Sequence, residues 1–415
     1  MNPSKKGWLK KYLQHREQLD LLHEAKALGE SEEHLYRLLQ PTGIMYGHPL
    51  QHPLQAHFDL DQCDQKGLMK LILTESFLII SSESITTIPQ VRLETRKQLP
   101  DKLNKYYQGL YPGYKNPQTK KPEDPVLLAE SIINRRLKIQ SADFKSYLTT
   151  FFHNSLLFLD VFYYNRWVNS KEEIDLAALK TEKEEVRLAI LKVMAAAAQS
   201  DYKLQRSERS LFKYFMESAN LTREQEKEAN RFLKNPPSLA QLKLPFVDSW
   251  ILRKYLLEMA ILITWADKEV TRSEKDFLKR LSAKLHFSRE ELENSLLAVE
   301  SFILQNWTDI RYLLGKQEIN IIRKRYVRRL KRFVSKNKDY VVQEIHESKE
   351  LVFLMNKSRR EPLSKEEKAK VREQLIDILK TVPTFVIIAL PFTFITLPIL
   401  LSLLPKSAFP SSFQE

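Results

Sequence analysis

The stretch VPTFVIIALPFTFITLPILLSLLP, residues 382–405, constrains the fold more than any other part of the sequence. From Val382 to Leu404 it runs 23 residues without a charge. As one helix it would span about 34 Å, against the roughly 30 Å of a hydrocarbon core. A helix of that length on a soluble domain would carry charge on its outer face. The expectation is therefore a single transmembrane helix over 382–404, with a shallow re-entrant hairpin bent at Pro391 as the alternative. Interior prolines remove a donor and free a carbonyl, yet Pro383, Pro391, Pro398 and Pro405 all fall here. The last three recur every seven residues and so lie near one face. Freed carbonyls there need partners inside a protein assembly, which predicts a protein partner or a homo-oligomer formed through this helix. Arg359, Arg360, Lys365, Lys368, Lys370, Arg372 and Lys380 precede the segment and Lys406 alone follows it. That asymmetry predicts a cytoplasmic N-terminal region and a tail-anchored, single-pass chain.

The remainder reads as all-α. Glycine is scarce, with 8 in 415 residues, and apolar positions mostly recur at three- and four-residue spacing. Cys63 is the single cysteine, which excludes an intramolecular disulfide and a cysteine-based zinc site. The net charge of +14 favours anionic partners: lipid headgroups, RNA or acidic proteins. DNA is not expected among them. No apolar run near the start reads as a secretory signal. The first sixteen residues are basic, with Trp8, Leu9, Tyr12 and Leu13 interleaved. Such a segment can lie on a membrane surface, but acidic residues return at Glu17 and a plain first helix is expected. Four regions follow: a helical region over 1–180, a helical repeat over 181–305, a basic linker over 306–362, and a lead-in helix with the membrane segment over 363–415. Within the first, LMKLILTESFLIISSESI reads as a buried helix despite Lys70 and Glu75, and YPGYKNPQTKKPEDP (111–125) reads as an exposed loop.

The repeat has an offset of 66 residues. DYKLQRSERSLFKYF (201–215) aligns without gaps on DKEVTRSEKDFLKRL (267–281), and LTREQ (221–225) on FSREE (287–291). Thr222 with Gln225, and Ser288 with Glu291, read as capping boxes opening a helix. An alanine-rich helix ending in AAAAQSD, then seven residues to Glu208, resembles the tellurite-resistance TerB-like helical domain, and ILITWADKEVTRSE repeats the pattern. The resemblance covers about 185–300 and implies metal binding by acidic residues. The set would be Asp201, Glu208, Asp267 and Glu274, suited to a divalent cation if their oxygens converge. The glycine usual after the aspartate is replaced by Tyr202 and Lys268. The alternative is that these carboxylates only cap helices; Thr271 with Glu274 forms a capping box by itself.

HPLQHPLQAHFDLDQCD (48–64) gathers His48, His52 and His57 with Asp59, Asp61, Cys63 and Asp64. The ligand types suit a transition metal, but Pro49 and Pro53 and the spacing favour a polar surface loop. A glycine-rich phosphate cradle, a Gly-x-Ser-x-Gly elbow and a His-Glu-x-x-His pair are all absent. The chain is not expected to be an enzyme.

INIIRKRYVRRLKRFVSKNK (319–338) is more informative. Ile319, Ile322, Tyr326, Leu330 and Phe333 fall at helical spacing, surrounded by Arg323, Lys324, Arg325, Arg328, Arg329, Lys331, Arg332, Lys336 and Lys338 without one acid. A basic amphipathic helix can bind anionic lipid, at about 1 kcal/mol per basic residue near the surface. It can also grip ribosomal RNA phosphates, with Tyr326 or Phe333 stacking on bases. The third reading is a helix whose apolar stripe packs on the domain and whose charge merely faces water.

PLSKEEKAKVREQLIDILKTVP, the proline frame after it and the terminal FPSSF (409–413) resemble the leucine-zipper/EF-hand transmembrane (Letm) family of inner membranes. The resemblance covers about 363–413, and with the TerB-like region the whole chain resembles bacterial Letm-related, biofilm-associated proteins. It implies a bacterial inner (cytoplasmic) membrane location, membrane lipids and the ribosome as partners, and cation/proton exchange. In that family a ribosome-binding-like domain follows this point, and an acidic residue stands three after the second membrane proline, where this chain has Phe394. A membrane carboxylate is what ion coupling would need. The leading expectation is thus a non-enzymatic, membrane-held scaffold or adaptor in envelope, biofilm or stress functions. The alternative is a Letm-like cation/proton transport component or a ribosome-binding membrane factor.

Overall fold

The computed structural model describes residues 2–19, 32–54, 57–60, 63–82, 89–114, 124–137, 154–170, 172–198, 212–213, 216, 221–235, 237–244, 248–264, 272–305, 316–382, 396–405 and 408. Every regular element among them is helical. The chain divides into two compact units, Met1–Ile263 and Thr264–Glu415.

The first unit is built from α1 (Trp8–Gln18), α2 (Glu32–Leu39), α3 (Gln65–Ser82), α4 (Pro89–Lys97), α5 (Leu99–Leu110), α6 (Pro125–Arg136), α7 (Leu157–Val168), α8 (Leu176–Ala198), α9 (Arg223–Lys234) and α10 (Trp250–Thr264). As its sequence predicts, α3 is buried, with Met69, Leu71, Ile72, Leu73, Phe77 and Leu78 inaccessible. It packs on α4, α5 and α7. Phe77 meets the Tyr164 ring edge-on at 4.8 Å, and Tyr164 shares a 2.6 Å hydrogen bond with Ser81. Gly109 permits the start of α8 to approach α5, since a Cβ there would stand 2.3 Å from Leu176 Cδ1.

Local signals set the helix starts. Asp124 accepts from the Val126 N–H at 2.8 Å with Pro125 in the first turn of α6. Both expected capping boxes form: Thr222 with Gln225 at α9, and Ser288 with Glu291 at 3.1 and 2.7 Å. Trp8, Leu9 and Tyr12 of α1 are buried, so α1 is a core helix with no apolar face left for a membrane surface.

Three buried carboxylates organise the polar interior of this unit. Asp160 on α7 accepts from Arg136 Nε (2.8 Å) and Tyr107 Oη (3.1 Å) at one oxygen, and pairs with Lys183 at the other. Burial would raise its carboxyl, but Arg136 and Lys183 hold it well below the usual carboxylate range. Glu75 accepts from Tyr12 Oη (2.5 Å) and Arg16 Nε (3.0 Å). Glu258 accepts from Tyr36 and Tyr46 at 2.5 and 2.7 Å. Burial first, and then the neighbouring carboxylates, push the Tyr12 and Tyr36 hydroxyls well above the usual phenol range.

The histidine-rich loop departs from its surface assignment. His48 and His52 are buried and only His57 is exposed. Gly43 sits at φ 79° where a Cβ would collide with the His48 carbonyl, and this tight turn folds the loop back. The Leu54 N–H donates to His52 Nδ1 at 3.1 Å, which leaves Nε2 to donate to Tyr12 Oη at 3.0 Å. His52 therefore closes the Tyr12–Glu75 network, and the loop is a clamp on α1. Among the described residues no His/Cys/Asp/Glu group could hold a metal ion.

The second unit comprises α11 (Arg272–Lys284), α12 (Arg289–Gln305), α13 (Lys316–Lys336), α14 (Lys338–Glu347), α15 (Lys349–Arg360), α16 (Lys365–Thr381) and α17 (Leu397–Leu403). α12 packs on α13, which also meets α14 and α17, while α14, α15 and α16 pack mutually and α16 meets α17. Ser364 and Glu367 form a capping box at the start of α16.

No helix among the described residues is long and apolar enough to cross a membrane. Pro383, Pro391 and most of the expected span lie in 383–395, outside the described residues. What is described of 382–404 is not one continuous helix. Val382 leaves α16 at φ −57°, ψ 120°, the extended conformation that a following proline imposes. Thr396 is extended at ψ 158° and Pro398 lies in the first turn of α17, where its missing N–H costs nothing. Leu404, before Pro405, is extended again. Leu400 and Leu403 are buried.

Candidate functional site

The helix α13 carries the strongest concentration of one charge in the described structure. It has no glycine or proline, and its apolar residues at three- and four-residue steps make one face. Ile322, Tyr326, Leu330, Phe333 and Val334 are buried on that face. This settles the direction of the aromatic residues: Tyr326 and Phe333 point into the unit and cannot stack on bases. The apolar stripe is likewise unavailable for insertion between lipids. What α13 offers a partner is charge alone.

Neutralisation is uneven around the helix. On the side facing α12, Arg329 pairs with Glu293 and donates from Nε to Glu300 at 3.2 Å, and Lys336 lies 3.4 Å from Glu290. Arg323 and Arg325 are half-buried at the edges of the buried face. On the outer side Lys324, Arg328, Lys331 and Arg332 are exposed. None of the four has an ion-pair partner among the described residues. At about 100° per residue they occupy an arc of about 100° opposite the buried stripe, along some 12 Å of helix. Four cations on one rigid face, without an ion-pair partner among the described residues, are suited to phosphates or carboxylates.

Glu300 is the unusual group beneath this face. Its carboxylate is fully buried, Arg329 reaches one oxygen, and Oε2 has no partner among the described residues. Burial raises its pKa to about 7, against the lowering pull of Arg329 and Arg325. The α12 acids were not singled out from the sequence. Their signal is there: Glu290, Glu293 and Glu300 share a helix face by spacing.

Of the four carboxylates expected to bind a cation, Asp201, Glu208 and Asp267 lie outside the described residues. Glu274 is buried in the first turn of α11. Pro398 and Pro405 flank the core of α17, which packs on α13 and α16.

No curated protein and no solved structure matches the chain. One family model does, over residues 363–415: LETM1-like, RBD. The match leaves 185–300, the stretch expected to be TerB-like, outside it. It also places α16 and α17 inside the ribosome-binding domain model of a family whose ribosome-binding part the sequence alone put beyond Glu415. The C-terminal residues 363–415 are thus LETM1-like, and they share one compact unit with the basic face of α13.

Proposed function

We propose that this protein is a non-enzymatic, membrane-associated ribosome-binding factor that grips ribosomal RNA through α13. One observation carries the reading: four exposed cations on α13 without an ion-pair partner among the described residues, on a helix against which the LETM1-like α17 packs. With its aromatic residues buried, α13 would touch phosphates and not base edges. Recognition would follow backbone position and shape, with steep salt dependence. Co-sedimentation of the full chain with ribosomes tests this. The chain is expected to pellet with ribosomes at low salt, and a Lys324→Gln, Arg328→Gln, Lys331→Gln, Arg332→Gln variant to stay in the supernatant. Equal pelleting of both overturns the proposal.

Membrane association rests on a separate observation, the 23 uncharged residues of 382–404. Under this reading the segment holds the chain at a bacterial inner membrane as an adaptor, with the LETM1-like unit on the cytoplasmic side. Alkaline washing of membranes tests it. Retention that is lost on deletion of 382–404 is expected, and release of the intact chain counts against it.

A further inference from the structure

A second cationic site lies in the first unit, formed by the segment before α1, the outer face of α1 and the histidine loop. Lys5, Lys6, Lys11, His15 and His57 line a cleft of about 550 Å³, with Trp8 in its wall. That volume is in the range of small-ligand sites. The three lysines are exposed and have no ion-pair partner among the described residues. His15 and His57 are tied together across the cleft wall, His15 Nε2 lying 3.5 Å from the His57 carbonyl. Asp59 is the one acid lining the cleft.

The wall itself is preorganised. The carboxylate of Glu130 on α6 accepts from the Gly7 and Leu9 N–H groups at 2.8 and 3.0 Å, fixing the start of α1. The ring of Phe58 stacks on Tyr12 at 5.3 Å and holds His57 and Asp59 against α1. Trp8 is 2% exposed, and its indole Nε1–H has no acceptor among the described residues.

We propose that this cleft binds a phosphomonoester. Three ammonium groups against one carboxylate leave a charge of about +2. A phosphomonoester carries about −1.5 to −2 near pH 7 with three acceptor oxygens, whereas a lone carboxylate leaves the charge half unmatched. The group can be that of a soluble metabolite or of a lipid headgroup. This site is independent of α13, which belongs to the other unit.

The test uses the full chain with two probes: glycerol 3-phosphate by titration calorimetry, and phosphatidylcholine vesicles containing phosphatidic acid by flotation. The triple variant Lys5→Gln, Lys6→Gln, Lys11→Gln changes exposed side chains only, and its thermal unfolding reports that the fold is kept. Lys10→Gln, exposed on the same helix but outside the cleft lining, is the control for general charge loss. The triple variant is expected to weaken binding at least about tenfold and Lys10→Gln less than about twofold, as charge-assisted contacts require. That pattern with glycerol 3-phosphate supports a soluble ligand; with vesicles alone it supports a lipid headgroup. Absence of binding to both probes overturns the proposal. Equal loss in Lys10→Gln and the triple variant also does, as does vesicle binding that only the α13 variant abolishes.

Discussion

The two units treat charge in opposite ways. In the first, carboxylates are drawn inside and surrounded by tyrosines, arginines and a lysine gathered from several helices, as at Asp160, Glu75 and Glu258. In the second, the acids of α12 neutralise one side of α13 and the other side is left bare. A buried charge cluster costs desolvation and is maintained by geometry. A bare cationic face costs little and is available to a partner. The difference separates what holds a unit together from what it presents.

The sharpest way to break that contrast is to remove one buried partner. Asp160→Asn leaves Arg136 and Lys183 facing a neutral amide, and is expected to destabilise the first unit by about 3–5 kcal/mol in denaturant unfolding. A loss below about 1 kcal/mol would mean that the cluster is solvated and the contrast false.

Glu300 is the intermediate case, an acid of the second unit that is buried like those of the first. Its folded pKa of about 7 lies above its ordinary value. The proton is bound more tightly in the folded state. The stability it contributes is therefore present below its ordinary value near 4.5 and is lost as pH rises through about 7. The span allows at most roughly 3 kcal/mol. Glu300→Gln should flatten the stability profile between about pH 4.5 and 7, and a profile unchanged by the substitution would place Glu300 in water.

Tyr111 gives the opposite sign in the first unit. Burial would raise its phenol, but Arg136, Lys183 and Arg187 bring it down to about 7. Arg187 donates to its oxygen at 2.9 Å and the Arg136 guanidinium lies 4.9 Å from its ring centre. Stability from this group is present above its ordinary value near 10 and falls away as pH drops through about 7. Tyrosinate absorbance appearing near neutral pH, and vanishing in Tyr111→Phe, is the expected signature.

The smallest effect belongs to the bare face. Neutralising Lys324, Arg328, Lys331 and Arg332 together should change stability by less than about 0.5 kcal/mol per site, as exposed, unpaired charges do.

How much of this could be read in the sequence depended on distance along the chain. The boxes at Thr222 and Ser288 and the buried α3 rest on neighbours within a few turns, and both were legible. The apolar stripe of α13 was legible as a stripe, but periodicity cannot say whether a protein core, a bilayer or a base will cover it. His52 was misplaced on the surface because its partner Tyr12 lies 40 residues before it, and the acceptor of Tyr12, Glu75, lies 63 residues beyond Tyr12. The Asp160 cluster draws on α5, α6, α7 and α8 and leaves no local motif. For the uncharged span, most of which lies outside the described residues, hydropathy ignores what each proline does to the residue before it. Val382 and Leu404 show that effect.

The salt dependence of ribosome binding tests the central claim most directly. If α13 binds through its four bare cations, log affinity should fall linearly with log salt, and the Lys324→Gln, Arg328→Gln, Lys331→Gln, Arg332→Gln variant should show a slope shallower by about 3–4. Identical slopes for the two proteins, at equal stability, would contradict the account.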